Sequence, residues 1–130
     1  NHNIDNRNWC GSGKMLAIDC YGNFYPCNRF VDFSLREKQP RIIGNIYSGI
    51  DPNKVRPFIL LNYEDQSSDE CKACDVSKGC AWCQGENYDA ADTSTIFQRS
   101  VAICKMHKAR VRANNYYWNK LAIKKAKEKC

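Results

Sequence analysis

Cysteine is the residue type in this sequence with the clearest capacity for chemistry. The chain has 9 cysteines in 130 residues, and four of them form two C-x2-C pairs, Cys71 with Cys74 and Cys80 with Cys83. Two residues between thiolates allow a tight turn to direct both sulfurs at one metal centre. The spacing therefore predicts that these cysteines bind metal.

Disulfide bonds and inert thiols are the competing explanations for so many cysteines. Disulfides are typical of small secreted domains, but the first residues are polar, without the apolar stretch of a signal peptide. The cysteine count is also odd, and buried free thiols would explain only one or two. We therefore predict a cytoplasmic metal-binding protein. No run approaches the roughly 20 apolar residues of a membrane helix, so we expect no membrane partner.

The spacing alone leaves open whether there is one metal site or two. The two C-x2-C pairs could together close a single tetrahedral zinc site. That interpretation leaves Cys10, Cys27 and Cys104 without a role. A two-site arrangement would use all seven cysteines if the dense segment divided its ligands between the sites.

The complete cysteine order resembles the SPASM domain, the auxiliary-cluster extension at the C-terminus of many radical SAM enzymes. That family has the signature C-x(9–15)-G-x4-C, a gap, C-x2-C-x5-C-x3-C, a gap, and C. This chain has Cys10-x11-Gly22-x4-Cys27, then Cys71-x2-Cys74-x5-Cys80-x2-Cys83, then Cys104. The match covers residues 10–104 and departs from the signature in its last short spacing, before Cys83.

The resemblance implies two [4Fe–4S] clusters with interleaved ligands. One cluster would be held by Cys71, Cys74, Cys80 and Cys104, and the other by Cys10, Cys27 and Cys83. Where relatives supply an extra cysteine to the second of these clusters, this chain has Leu16, which cannot ligate. Cys20 is the alternative fourth ligand, although it falls in a predicted turn. Without it, one iron would be open to solvent, another side chain or substrate.

The resemblance also implies a function within a larger enzyme. Family members oxidise a cysteine or serine in a sulfatase, or form thioether and carbon–carbon links in peptides. We expect the radical SAM core to lie upstream in the same chain, because the C-x3-C-x2-C motif is absent here and the sequence does not begin with Met. The expected partner is a peptide or protein substrate. We predict no catalytic residue and no S-adenosyl-L-methionine site in residues 1–130.

The expected cluster roles are electron transfer and binding of a substrate thiolate. The competing hypothesis is a zinc-binding interaction module without a redox role. Zinc could also replace iron in protein prepared in air, because both metals accept thiolate ligands.

The elements that would position these cysteines form a small α+β fold, which we predict to be metal-stabilised. Apolar runs at residues 14–19 and 24–25 flank Tyr21-Gly22-Asn23, which predicts a β-hairpin that brings Cys10 toward Cys27. A short strand is expected within residues 41–46. Residues 64–92 show little periodicity, so we expect an irregular cysteine-rich region that metal must order.

Two helices are predicted. Asp51 and Pro52 resemble a helix start, and the helix would run to about residue 63 despite Pro57. Phe58 and Leu61, with either Ile59 or Leu60, should face inward. A longer helix is predicted over residues 99–129, where Gly and Pro are absent. We divide the chain into a linker (1–9), the cluster domain (10–104) and a basic helix (105–130).

The basic helix carries most of the positive charge. Residues 105–130 contain nine Lys or Arg and one acid, a net charge of +8, within a chain of +6. The charges do not lie on one helical face, and no nucleic-acid fold signature is present, so we disfavour a nucleic-acid partner. We expect Tyr116, Tyr117 and Trp118 to pack on the parent enzyme. Three other residues have no predicted ligand role: Trp82, His107 and Cys130.

Overall fold

The fold is given by a computed structural model that describes residues 10–77, 80, 83–92 and 95–128. The predicted linker 1–9, Trp82 and Cys130 lie outside the described residues. Within the described ranges the chain is α+β, with a four-stranded sheet, two 3₁₀ turns (Asn28–Phe30 and Asp32–Ser34) and five α-helices. The strands are β1 (Ala17–Ile18), β2 (Asn23–Tyr25), β3 (Gly44–Asn45) and β4 (Gly49–Ile50). The helices are α1 (Pro52–Leu60), α2 (Tyr63–Gln66), α3 (Asp69–Ala73), α4 (Gln84–Ala90) and α5 (Cys104–Glu128).

The predicted hairpin is confirmed as the β1–β2 pair. Ala17 lies opposite Tyr25, the strands are antiparallel, and the turn contains Gly22 at φ +82°, a conformation that glycine adopts without steric cost. The sheet is larger than predicted, because β3 pairs with β2 and β4 pairs with β3 in the order β1-β2-β3-β4. The strand expected within residues 41–46 is the two-residue β3.

Asp19 holds the hairpin turn together. Its carboxylate accepts hydrogen bonds from the backbone N–H groups of Tyr21 and Asn23, both at 2.9 Å, and from the Tyr25 hydroxyl at 2.8 Å. Lost hydration raises the pKa of Asp19, but the bonds from Asn23, Tyr25 and Tyr21 lower it more, to about 2. Burial, followed by the bond to Asp19, raises the pKa of Tyr25 to about 12.

Helix α1 begins as predicted. The Asp51 side chain accepts from the N–H groups of Asn53 and Lys54 at the helix N-terminus. The helix contains Pro57 and ends at Leu60. Phe58 and Leu61 are buried as predicted, but the expectation that Ile59 or Leu60 faces inward was wrong: these are 41% and 60% exposed. Val55 is buried instead, because positions three apart share one helical face.

The hydrophobic core joins the first 3₁₀ turn to α1 and α4. Phe30 is 0% exposed, and its ring centroid lies 5.0 Å from that of Phe58 and 5.6 Å from that of Tyr88. Further buried residues complete this cluster: Tyr25, Cys27, Val31, Ile43, Val55, Leu61 and Ile96. The core therefore lies between the sheet region and the cysteine-rich segment.

The expectation that residues 64–92 are irregular was wrong in part. The segment contains three short helices, and α4 contributes Tyr88 to the core. Two of the helices have side-chain caps, since Asn62 accepts from Asp65 N and Ser68 accepts from Cys71 N. Helices this short have too few turns to produce a visible hydrophobic period. Stabilisation by metal stays a prediction.

Helix α5 begins at Cys104 rather than at residue 99. Among its described residues only His107 is buried, and the side chains of Tyr116, Tyr117 and Trp118 are exposed. The predicted packing of these aromatics on a parent enzyme stays a prediction. None of the helices in the described ranges has the length and apolar character that crossing a membrane requires.

Candidate metal centre

Four cysteines from separate segments line one pocket. Cys71 belongs to α3, and Cys74 is the residue directly after that helix. Cys80 lies in the loop that follows, and Cys104 is the first residue of α5. All four thiols are partly buried. We call this the Cys104 pocket. The four cysteines that line this pocket are the four that the resemblance to SPASM domains assigns to one cluster.

Backbone hydrogen bonds between residues three positions apart connect the first three of these cysteines. Cys74 N donates to Cys71 O at 3.3 Å, Ser77 N to Cys74 O at 3.0 Å, and Cys80 N to Ser77 O at 3.2 Å. Ser68 fixes the beginning of the series, because its Oγ accepts from Cys71 N at 3.3 Å.

His107 connects the beginning of α5 to the backbone at Val76. Its Nε2 lies 3.4 Å from Val76 O, and its Nδ1 lies 3.0 Å from an Arg110 guanidinium nitrogen. A carbonyl only accepts and a guanidinium only donates, so Nε2 carries the proton and Nδ1 accepts. Both ring nitrogens are engaged and the side chain is buried; that His107 is not a metal ligand stays a prediction. Cys104 is one turn earlier on the same helix and is thereby held against the loop.

The Cys104 pocket has room for an occupant larger than one water. Its cavity volume is about 40 Å³, against the roughly 10–15 Å³ that one water requires. Besides the cysteines, its walls include the Tyr63 ring, the Arg99 guanidinium and Lys108. The sequence analysis missed Tyr63 and Arg99, which carry no local pattern that would associate them with the cysteines.

Cys83 belongs to a second group. Although only three positions from Cys80 in the sequence, it does not line the Cys104 pocket, and its thiol contacts that of Cys10. The bond from Cys10 lowers the pKa of Cys83; the backbone N–H groups at the beginning of α4 and the nearby Arg29 charge lower it further, against the effect of burial. The pKa of Cys10 is raised by the same bond and by burial. The thiols of Cys10 and Cys83 therefore form a hydrogen-bonded pair.

The first 3₁₀ turn holds α4 in this position. Gly85 of α4 lies against Arg29, and a Cβ on Gly85 would collide with Arg29 Cβ. The Arg29 guanidinium pairs with Glu86 at 2.8 Å and with the buried Asp89 at 3.9 Å. Cys27 immediately precedes this turn and is buried. The contact thus joins the segment that carries Cys27 to the helix that directly follows Cys83.

The described residues do not form a preformed site for a single ion. No three or more of the histidine, cysteine, aspartate and glutamate side chains described by the structure converge in a way that could hold one metal ion. A tetrahedral zinc site needs every sulfur at about 2.3 Å from one point. The thiols of the Cys104 pocket instead stand around a cavity, and Cys27 does not complete a three-ligand site with Cys10 and Cys83.

Polar groups without partners flank the second group. Ser12 Oγ and Gln84 Oε1 are buried and have no hydrogen-bond partner among the described residues. Ser12 lies two positions after Cys10, and Gln84 directly follows Cys83. Buried polar side chains are normally satisfied, so this region can supply further polar contacts to an occupant.

Cys20 lies in the exposed hairpin turn. Leu16, where relatives would place the extra ligand, is also exposed. Neither Cys20 nor Leu16 lines the Cys104 pocket, and both are exposed. Whether Cys20 ligates stays a prediction.

Known proteins provide no assignment for this chain. No family model, curated protein or solved structure matches it. The resemblance in cysteine spacing stays a prediction, and the function has to be argued from the two cysteine groups.

Proposed function

We propose that this chain is an auxiliary [4Fe–4S]-cluster domain of a radical SAM enzyme that modifies a peptide or protein. The observation that carries the proposal is the Cys104 pocket. Its four cysteines come from three regions of the sequence, yet they are the set that the resemblance to SPASM domains groups around one cluster. Spacing alone did not require Cys104 to approach the C-x2-C segment.

The division of the dense cysteine segment also supports the proposal. A single zinc knuckle would use Cys80 and Cys83 together. In the structure Cys80 lines the Cys104 pocket, whereas Cys83 contacts Cys10. This separation agrees with interleaved ligands and disfavours one shared site.

The side chains fit thiolate-ligated clusters in their chemistry. Cys71, Cys74, Cys80 and Cys104 would hold one cluster, and Cys10, Cys27 and Cys83 the other. Soft thiolates suit iron–sulfur clusters and zinc alike. The pocket that these four cysteines line has a volume of about 40 Å³, more than one water requires. When bound, such a cluster accepts or donates one electron at a time.

The chain's own residues would orient and shield such a cluster. The turns from Cys71 to Cys80 and the His107–Val76 contact hold the sulfurs around the pocket. Ile103 and Val76 provide apolar wall. Hydrogen bonding and burial around thiolate ligands tune their electronic properties. The catalytic radical chemistry belongs to the proposed upstream core, and the substrate is a peptide or protein.

Anaerobic reconstitution tests this proposal. The chain is incubated with iron and sulfide, and iron, sulfide and the visible charge-transfer absorbance are measured. We expect Cys74→Ala to lose about half of the bound iron, because one of two clusters loses a ligand. Cys83→Ala should lose the other half of the bound iron, which belongs to the second cluster. Cys20→Ser is the matched control and should retain the iron of both clusters. Wild-type chain that takes up zinc but no sulfide would favour the zinc-binding interaction module instead. Loss of all iron from Cys74→Ala in folded protein would indicate one shared site.

A further inference from the structure

Arg99 has the most constrained position among the cationic side chains that line the Cys104 pocket. Its guanidinium donates to Ser67 Oγ at 3.3 Å and to Cys80 O at 3.4 Å. It also lies over the Tyr63 ring, with Cζ 5.3 Å from the ring centroid. These three contacts come from three different segments, so the positive charge has a defined position beside the thiols.

The same contacts connect Arg99 to the segments that carry two of the cysteines. Tyr63, beneath the guanidinium, donates its hydroxyl hydrogen to Cys71 O at 3.1 Å. Arg99 reaches the Cys80 carbonyl directly. A movement of the Cys71 or Cys80 backbone relative to the guanidinium would therefore break hydrogen bonds.

Lys108 provides a natural comparison. It lines the same pocket, but it is an exposed side chain on the surface of α5. The charge of an exposed ammonium is screened by water and salt, whereas a half-buried guanidinium acts through a lower dielectric. The two residues carry the same charge at the same pocket, and they differ in how firmly that charge is held.

We propose that Arg99 sets the reduction potential of the group bound in the Cys104 pocket, by holding a permanent positive charge beside its four thiolates. The inference rests on the proposed function. Four thiolates bring four negative charges to the pocket, and one-electron reduction adds another. A guanidinium stays protonated throughout, so it stabilises the more negative state more strongly and raises the potential. The Asp75 carboxylate, 3.7 Å from Cys74 Sγ, carries the opposite charge and would lower the potential.

The experiment is an anaerobic potentiometric titration of the reconstituted chain with an absorbance or electron paramagnetic resonance readout. Cys74→Ala identifies the signal of the Cys104 pocket as the one that disappears. Arg99→Gln should retain that signal but shift its reduction equilibrium about tenfold toward the oxidised state, which for one electron is about 59 mV. Arg99→Lys keeps the charge but loses the forked contact with Ser67 and Cys80, so it should shift the potential less than Arg99→Gln. Lys108→Gln should shift the potential less than Arg99→Gln.

The outcomes separate this inference from the proposed function. A wild-type chain that takes up iron and sulfide while Arg99→Gln has an unchanged potential would overturn the role of Arg99 alone. Equal shifts for Arg99→Gln and Lys108→Gln would do the same. If Arg99→Gln does not hold the cluster, the neutral variant Arg99→Met decides: a shift toward the oxidised state supports the inference, and an unchanged potential overturns it. A wild-type chain that takes up no cluster overturns both proposals.

Discussion

Adding a methyl group at Gly85 should destabilise the protein, which is the opposite of what its place in a helix suggests. Replacing glycine by alanine in a helix interior normally stabilises by up to about 1 kcal/mol. In this structure the new Cβ would collide with Arg29 Cβ. That atom is attached directly to the backbone, so the 3₁₀ turn or α4 has to move. Overpacking of this kind costs about 1–3 kcal/mol, and we expect a net loss of about 2 kcal/mol.

The displacement should also reach the second cysteine group. Cys83 immediately precedes α4, and Cys27 immediately precedes the turn that contains Arg29. Separating the turn from the helix therefore separates these two cysteines. In the reconstituted chain we expect Gly85→Ala to lose iron from the site of Cys10, Cys27 and Cys83, with the signal of the Cys104 pocket retained.

Denaturant unfolding of the reduced, metal-free chain measures the stability effect. The matched control is Gly11→Ala: its Cβ would meet only the flexible side chain of Met15, although it adjoins Cys10. The compensating variant is Arg29→Gly, which removes the atom struck. A double-mutant cycle should show a smaller cost of Gly85→Ala in that background. An increase in stability for Gly85→Ala, or an equal cost in both backgrounds, would refute the reasoning.

Three further outcomes follow from the described contacts. Phe30→Ala should cost about 3–5 kcal/mol in denaturant unfolding, whereas Phe33→Ala, at an 84% exposed position, should change little; similar costs would contradict the assigned core. The stability from the Asp19–Tyr25 hydrogen bond should be lost as pH falls from 3.8 toward about 2, where the carboxylate protonates. It should also be lost as pH rises from 10.0 toward about 12, where the phenol ionises. An Asp19→Asn variant whose free energy of unfolding falls at low pH as much as that of the wild type would argue against this. Cys20→Ser should leave metal content and spectrum unchanged, and iron loss would make Cys20 a ligand.

Features governed by neighbouring residues could be predicted from the sequence. The hairpin follows from a glycine turn between two apolar runs, and the beginning of α1 follows from an Asp cap before Pro52. The inward positions of Phe58 and Leu61 follow from helical spacing. Each depends on residues only a few positions apart, so the physical cause is visible in the sequence itself.

Longer-range features were predicted only in part. The strands β3 and β4 are two residues each, too short for an alternating pattern. The helices α2 and α3 are held by caps at Asn62 and Ser68 rather than by an apolar stripe. Their existence depends on hydrogen bonds and on packing that the linear pattern does not display.

The sequence by itself determined which residues are candidate thiolate ligands, because the number, type and spacing of the cysteines do not depend on the fold. Only the tertiary structure decided that Cys80 lines the Cys104 pocket while Cys83 contacts Cys10. It also decided that Arg99 stands beside the first group. The physical reason is that the packing of Gly85 on Arg29 positions α4 and the His107–Val76 contact positions α5. Both contacts join residues more than 30 positions apart, and no local pattern encodes them.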